Sequence, residues 1–351
     1  MRYTLLGRSG LRVSELCLGA MTFGGAPGWG SPEEVCGRQL DLFLERGGNF
    51  IDTANRYTDG RSEEIIGRLL KGRRESVVLA TKYTMSMRAG DPNAGGNARK
   101  NMMQSVRASL ARLGTDYIDL YWVHAWDIMT PVEEVMRALD DLVRSGVVHY
   151  VGVSDFPAWK VAEANTLAAL RGWSPFVGLQ IEYNLVERTV ERELIPMARG
   201  LGIGVMPWSP LAGGLLSGTY TRADLAASRE LAPGEQPKDR REFVRTRLTE
   251  RKVAIAAALG EVASELGRPP AQVALRWVMD RPGVQSTILG ARTLGQLEVN
   301  LGCLDFELDA GARARLDRAS EVELGFPHEM IQSPRIKLLL HGGVEVELLG
   351  P

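Results

Sequence analysis

Four side chains that can hold or transfer a proton stand at the ends of three consecutive apolar segments. Asp52 ends the first segment and Tyr57 follows it closely, Lys82 ends the second, and His124 ends the third. If these segments are neighbouring strands of a parallel barrel, their carboxyl ends meet at one rim. A lysine and an aspartate that point into such a site are costly to bury unless they pair. The four residues therefore predict a site for proton transfer.

Each of these residues also has an ordinary structural interpretation when it is taken alone. Asp52 could cap a turn, and Tyr57 could be an aromatic residue packed in a loop. Lys82 could be a surface charge, and His124 a core histidine with its hydrogen bonds satisfied. These interpretations explain the residues singly, but they do not explain why all of them stand at successive segment ends.

Eight short apolar segments alternate with longer, mostly amphipathic stretches, which indicates buried parallel strands separated by helices. The segments are 15–20, 49–54, 77–83, 117–124, 148–154, 178–184, 203–209 and 285–291. This alternation predicts an α/β fold, a (β/α)8 TIM barrel formed by the whole chain, 1–351, as one domain. An open doubly wound sheet is the alternative, but no G-x-G-x-x-G motif follows the first segment.

Helix signals support the alternation. Ser31-Pro32-Glu33-Glu34 predicts a helix start with Ser31 as the N-cap residue. The segment 131–145 predicts an amphipathic helix that ends at Gly146.

Three parts of the chain fall outside the alternation. Residues 1–14 predict a hairpin that closes the floor of the barrel, and 320–351 predict a C-terminal tail. Residues 211–251 begin with glycine-containing sequence and become highly charged, which indicates a long lid or binding loop before a helix at about 252–266.

Composition excludes several function classes. The 42 basic and 43 acidic residues nearly cancel, so we expect neither nucleic acid nor a membrane surface as a partner. No apolar run is long enough to span a bilayer, and the N-terminus lacks the apolar stretch of a signal peptide. Cys17, Cys36 and Cys303 have no metal-like spacing, so we expect buried reduced thiols, no metal site and a cytoplasmic protein.

Four motifs in combination resemble one enzyme family. "FIDTANRYTDGRSEEIIG", "ATKY", "DLYWVHAWD" and "GVSDF" are similar to the aldo-keto reductase superfamily, in the bacterial branch related to potassium-channel β subunits. The resemblance runs from about residue 1 to residue 320. It implies that Asp52, Tyr57, Lys82 and His124 form a catalytic tetrad. It also implies that NADPH or NADP+ binds across the barrel mouth.

Carbonyl reduction, which this resemblance implies, needs a hydride on carbon and a proton on oxygen. A free tyrosine is a weak acid at neutral pH. We expect the Lys82 ammonium to lower the pKa of Tyr57, and Asp52 to keep Lys82 charged. A neutral His124 would orient and polarise the carbonyl.

The resemblance also implies a set of cofactor-binding residues. They are Ser154, Asp155, Gln180, Trp208, Ser209, Leu211, Gly213, Gly218, Gly290, Arg292, Gln296 and Asn300. The family has asparagine where this chain has Asp155, and a carboxylate cannot donate to the carboxamide carbonyl of nicotinamide. Ser154 and Asp155 could instead cap the helix that starts near Pro157. Arg292 at a helix N-terminus favours NADP over NAD, although it could be a solvated surface residue.

The substrate side of the site is less defined. Met21, Trp29 and Trp126 fall on loops at the same rim as Tyr57 and predict an aromatic-walled mouth for a small-molecule carbonyl substrate. Aldehydes, ketones and keto sugars all fit, and a nucleotide-sugar ketoreductase of secondary metabolism is one specific alternative. A slow-turnover redox-sensing regulatory subunit and a catalytically idle scaffold are others. Oligomeric state stays open.

Overall fold

The computed structural model describes residues 1–26, 29–228, 235 and 237–344. The first element is an antiparallel hairpin of β1 (Tyr3–Leu5) and β2 (Arg12–Ser14). Leu6 and Val13 of this hairpin are fully buried and join the apolar cluster inside the barrel. The hairpin predicted from the first fourteen residues is therefore confirmed.

Eight parallel strands follow and form the barrel, as the sequence predicts. They are β3 (Leu16–Gly19), β4 (Phe50–Asp52), β5 (Val78–Tyr83), β6 (Ile118–Val123), β7 (Val148–Ser154), β8 (Phe176–Glu182), β9 (Gly204–Trp208) and β10 (Thr287–Leu289). Each strand pairs with its neighbour in chain order, and β10 pairs with β3. The remaining gap between β9 and β10 is bridged by Val205, which pairs in parallel with Val284. All eight carboxyl ends consequently lie at one rim.

Helices cover the outside of the barrel. They are α1 (Glu33–Glu45), α2 (Arg61–Leu69), α3 (Arg99–Leu113), α4 (Val132–Arg144), α5 (Ala158–Arg171), α6 (Leu194–Leu201), α7 (Arg222–Ala226), α8 (Arg240–Arg245), α9 (Glu250–Glu265), α10 (Pro270–Met279), α11 (Leu294–Leu301), α12 (Ala310–Ala319), α13 (His328–Gln332) and α14 (Pro334–His341). The helices that alternate with the strands pack their apolar faces on the outward residues of the strands, so each strand is buried on both faces. The last two helices, α13 and α14, bury no side chain. No helix of the described residues is both long and apolar enough to cross a membrane.

The barrel interior is filled by side chains at its centre. Trp122 of β6 is fully buried, and its ring lies against the α-carbons of Gly152 and Gly178 on the next two strands. A side chain at either glycine would overlap this ring. Large and small residues thus alternate around the interior, as close packing requires.

Two predictions about local structure are wrong. The Ser31 hydroxyl does not cap α1; it donates to the carbonyl of Arg292 at 2.8 Å and joins the start of the barrel to its end. The segment 211–251 is not one long loop, because a short 3-10 helix (Ala212–Ser217), α7 and α8 lie within it. Its residues 229–234 and 236, and the end of the tail at 345–351, lie outside the described residues.

Candidate active site

A buried lysine links two of the predicted residues. Lys82 of β5 and Asp52, the last residue of β4, are both almost completely buried and form an ion pair. The Lys82 ammonium also donates to the Thr53 carbonyl at 3.0 Å and to the Tyr57 hydroxyl at 3.2 Å. Its three protons therefore have three acceptors, so Lys82 has one defined position beneath Tyr57.

Tyr57 is held by an unusual turn directly after it. Thr58 and Asp59 have φ values of 48° and 56°, in the left-handed region that most side chains avoid. The Thr58 hydroxyl donates to the carbonyl of Phe23, which anchors the turn to the loop after β3. Strain of this kind persists where the surroundings determine the backbone, and here it fixes the half-buried Tyr57 ring over the rim.

The pKa of Tyr57 shifts in the direction opposite to the expected one. Burial raises the pKa of Tyr57, the Lys82 ammonium lowers it, and the balance lies above its ordinary value. The expectation of a lowered pKa is therefore wrong for the protein alone. For Lys82, burial acts to lower the pKa, but Asp52 and Tyr57 raise it above its ordinary value. At neutral pH Lys82 is charged and Tyr57 holds its proton.

His124 lies beside Tyr57 and is neutral. The two rings meet edge to face, with centroids 5.9 Å apart and planes at 82°. Burial and the nearby Lys82 charge lower the pKa of His124 to about 3. Its Nδ1 is buried and has no hydrogen-bond partner within the described residues. An uncharged imidazole at this position can donate a hydrogen bond to a carbonyl oxygen near Tyr57.

Four predicted cofactor residues continue the rim from β7 to β9. Gln180 donates to the second carboxylate oxygen of Asp52 at 3.1 Å, a bond that the sequence does not predict. Ser154 is buried at the end of β7, and the Asp155 carboxylate accepts from the indole nitrogen of Trp208 at 3.2 Å. The alternative role of Ser154 and Asp155 as helix caps is wrong, because Pro157 is the N-cap residue of α5 and no side chain caps the helix.

The segment after β9 forms a tight glycine-containing turn. Ser209 has a φ of 54°, and its hydroxyl accepts from the Gly213 amide at 3.2 Å. Gly213 and Gly214 have φ values of 70° and 114° within the 3-10 helix, and the half-buried Leu211 packs on the core beneath it. Gly218 ends this helix with a φ of 84°. Backbone conformations of this kind leave one face of the turn open to a ligand.

The helix α11 presents the last group of predicted residues. Thr293 is its N-cap residue, and the Gln296 side chain accepts from the backbone amide of Arg292 at 2.9 Å. Gln296 is exposed, whereas Asn300, one turn later, is buried. Gly290 lies exposed immediately after β10, at the entrance to this helix. The cap thus fixes the position of Arg292 at the helix N-terminus.

The structure adds a second arginine that the sequence analysis missed. Arg240, at the start of α8, is half-buried, and its guanidinium donates to the carbonyl of Gly213 at 3.1 Å. Burial and the neighbouring charge of Arg292 lower the pKa of Arg240. The Arg240 guanidinium thus contacts the glycine turn and lies near enough to Arg292 for the two positive charges to interact, an arrangement suited to a phosphate. The charged run "PKDRREF" was the available signal, but nothing local distinguishes Arg240 from its neighbours.

The three predicted substrate residues occupy different surroundings. Met21 is exposed on the loop after β3. Trp29 meets the Phe243 ring edge to face at 6.1 Å and donates to the Lys238 carbonyl, so it contacts the segment after β9.

Trp126 lies beyond His124 and packs against a second tryptophan. Its ring meets that of Trp159 edge to face, with centroids 5.6 Å apart, and also lies against Phe156. Trp159 is 59% exposed in the first turn of α5 and was not among the predicted residues. Its position just after a barrel strand was the signal that could have identified it.

Comparisons with known proteins agree with this geometry. The model of the aldo/keto reductase family matches residues 15–321. An aryl-alcohol dehydrogenase of Pestalotiopsis microspora is 37% identical over 94% of this chain and 85% of its own length. A norsolorinic acid reductase of Emericella nidulans is 38% identical over 94% and 84%. An NADP(+) aryl-alcohol dehydrogenase of Phanerodontia chrysosporium is 37% identical over 91% and 86%. All three relatives are named as oxidoreductases.

Proposed function

Because this chain belongs to the aldo/keto reductase family and is an oxidoreductase, we propose that it reduces an aldehyde or ketone with NADPH and oxidises the alcohol in reverse. The observation that carries this proposal is the buried Lys82, which contacts both Asp52 and the Tyr57 hydroxyl. A buried ion pair costs folding free energy. A role in catalysis would account for such a pair next to the Tyr57 phenol at an open rim. In this proposal the whole chain acts as one barrel domain.

Tyr57 is the general acid in this proposal. Its hydroxyl gives its proton to the carbonyl oxygen of the substrate, and the adjacent Lys82 ammonium stabilises the phenolate that results. Asp52 keeps Lys82 charged, and Gln180 holds Asp52 in place. Neutral His124 donates a hydrogen bond to the same oxygen and sets the direction from which the carbonyl approaches.

The residues from β7 to β9 would hold the nicotinamide end of the cofactor, which supplies the hydride when it is bound. Trp208 offers a flat indole face, and Asp155 accepts from its nitrogen on one edge. Ser154 and Gln180 lie on the strands beside it. These groups leave the side of the rim with Tyr57 and His124 for the carbonyl.

The turn after β9 and the start of α11 would bind the phosphates. The donor set fits a dinucleotide, because the Arg240 guanidinium contacts the left-handed turn at Gly213 and the Arg292 charge acts on Arg240. Arg292 and Arg240 favour the additional phosphate of NADPH over NADH. The proposed cofactor site is completed by Ser209, Leu211, Gly218, Gly290, Gln296 and Asn300. Within the segment 211–251, the 3-10 helix and α8 would cover this site, and Trp29 contacts the start of α8 from the loop after β3.

The substrate is an aryl aldehyde or aryl ketone. Trp126 and Trp159 form an aromatic wall beyond His124, which suits a flat ring. The names of the relatives point in the same direction, since they include aryl-alcohol dehydrogenases and a norsolorinic acid reductase. Met21 lines the opposite side of the mouth.

The proposal is tested by NADPH consumption over a panel of carbonyl compounds. We expect oxidation of NADPH with benzaldehydes or aryl ketones, less with aliphatic aldehydes of similar size, and little with nucleotide-activated keto sugars. The Tyr57→Phe variant serves as the matched control and should lose the reaction. An absence of turnover with the whole panel, or equal turnover by the variant, would reject the proposed function.

A further inference from the structure

We propose that the Asp155 carboxylate makes the nicotinamide site prefer the oxidised cofactor, NADP+, over NADPH. This inference rests on the proposed function, because it assumes that the nicotinamide ring lies at Trp208. Carbonyl reduction does not require the negative charge of Asp155, and the roles proposed for the other residues of the site do not account for it.

The backbone at Asp155 restricts which residues can stand there. Its φ is 52°, and among non-glycine residues aspartate and asparagine tolerate this left-handed conformation best. Asparagine would fit the same backbone and could still accept from Trp208 through its amide oxygen. What distinguishes the residue present from this isosteric alternative is therefore one negative charge.

The carboxylate faces the catalytic side of the rim. It accepts from the Trp208 indole, and its charge acts on Tyr57, where it raises the pKa of the hydroxyl, and on Lys82. The ammonium of Lys82 is already paired with Asp52. Glu182, at the end of β8, is a second carboxylate near this position; burial and the Asp155 charge raise its pKa, whereas Lys252 and Arg247 lower it. A negative charge therefore lies in contact with the Trp208 indole.

A negative environment discriminates between the two states of the cofactor. The nicotinamide ring is cationic when it is oxidised and neutral when it is reduced, so Asp155 attracts only the oxidised ring. At a partly solvated rim, one charge at a distance of a few ångströms changes an affinity by about tenfold. Asp155 should therefore strengthen binding of NADP+ and slow its release after carbonyl reduction. It should also favour carbonyl reduction within the bound complex, because that step forms the oxidised ring.

Calorimetric titration of the full-length protein with NADP+ and NADPH separately tests this inference. The Asp155→Asn variant should weaken NADP+ relative to NADPH by about tenfold, which corresponds to about 1.4 kcal/mol. The Asp155→Gly variant, which also accepts the left-handed backbone, should shift the ratio in the same direction. Glu163→Gln removes an equal charge from the exposed face of α5 and should leave the ratio within about twofold of the unmodified protein.

The outcomes separate the two proposals. If the unmodified protein binds both cofactors and Asp155→Asn leaves the affinity ratio unchanged, this inference is overturned and the proposed function stands. Equal weakening of both cofactors by the two Asp155 variants also overturns it, because a merely structural role would have that effect. If the unmodified protein binds neither cofactor, the proposed function fails and this inference fails with it.

Discussion

At the scale of single residues, the site combines groups whose charges depend on one another. Lys82 is buried and charged because Asp52 faces it, and Tyr57 keeps its proton because burial outweighs the nearby ammonium. His124 is neutral because burial and the same ammonium disfavour its protonation. A change at any one of these residues should therefore alter the behaviour of its neighbours.

Tyr57→Phe should separate chemistry from binding. The ring and its contact with His124 stay, but the transferable proton is lost. Carbonyl reduction should fall by a factor on the order of 10²–10⁴, while cofactor affinity stays nearly unchanged. Steady-state kinetics and a cofactor titration measure the two effects. Retention of most of the activity on a good substrate would show that another group supplies the proton.

His124→Gln should change how stability depends on pH. The pKa of His124 is about 3 in the folded protein, against an ordinary value of about 6.5. Between these values the unfolded chain binds a proton that the folded protein does not, so stability falls as the pH falls through this window. Between pH 7 and pH 4, the free energy of unfolding of the variant should fall by about 1–3 kcal/mol less than that of the unmodified protein.

Urea unfolding at several pH values provides that measurement. His149→Gln serves as a control, because His149 is exposed and stacks on Tyr117 away from the rim. The control shows what the loss of an exposed imidazole does by itself. An identical pH dependence for His124→Gln would mean that His124 does not resist protonation.

At the scale of elements, helix starts and turns at the rim bring distant residues together. The cap at Thr293 positions Arg292, and α8 brings Arg240 to the Gly213 turn. Trp29 links the loop after β3 to the start of α8 through Lys238 and Phe243. The phosphate site that we propose thus depends on three separate segments of the chain.

Arg240→Ala should weaken NADPH more than NADH. The removed guanidinium would pair with the phosphate that only NADPH carries, so we expect a loss of NADPH affinity of at least about tenfold. Arg241→Ala is the matched control, because the adjacent Arg241 is mostly exposed and pairs with Asp224 instead. Fluorescence titration with both cofactors distinguishes the outcomes. Equal weakening of NADPH and NADH would contradict a role at this phosphate.

At the scale of the whole molecule, the barrel interior sets how accurately the rim is assembled. Trp122 fills the centre because Gly152 and Gly178 leave room for its ring. This packing lies beneath Asp52 and Lys82 and holds their strands at a fixed separation. Closure through Val205 and Val284 completes the ring of strands.

Gly152→Ala should destabilise the barrel. The added methyl group would overlap the Trp122 ring, and overpacking of this kind costs about 1–3 kcal/mol. The melting temperature should fall, and it should recover partly in the double variant with Trp122→Leu. Gly260→Ala in α9, where the methyl group meets open space, should be neutral or slightly stabilising. A melting temperature unchanged by Gly152→Ala would show that the Trp122 ring does not pack closely on Gly152.

Much of the fold and part of the site follow from local sequence patterns. Alternation of apolar segments with amphipathic stretches predicts the strands, since buried parallel strands must be apolar on both faces. The largest differences are at β8 and β10, and each of these strands begins only two residues from the start of its predicted segment. The order of Asp52, Lys82 and His124 at successive strand ends then brings them to one rim, because parallel strands align their carboxyl ends.

Other properties depend on contacts that no local pattern contains. Burial decides the direction in which the pKa of Tyr57 shifts, and burial is known only once the barrel has closed. The Ser31 hydroxyl bonds to the carbonyl of Arg292 instead of capping its own helix, because closure brings the two ends of the barrel together. Arg240 and Arg292 likewise become neighbours only through the fold. Sequence periodicity determines the elements, whereas pairing between distant residues is decided by how those elements pack.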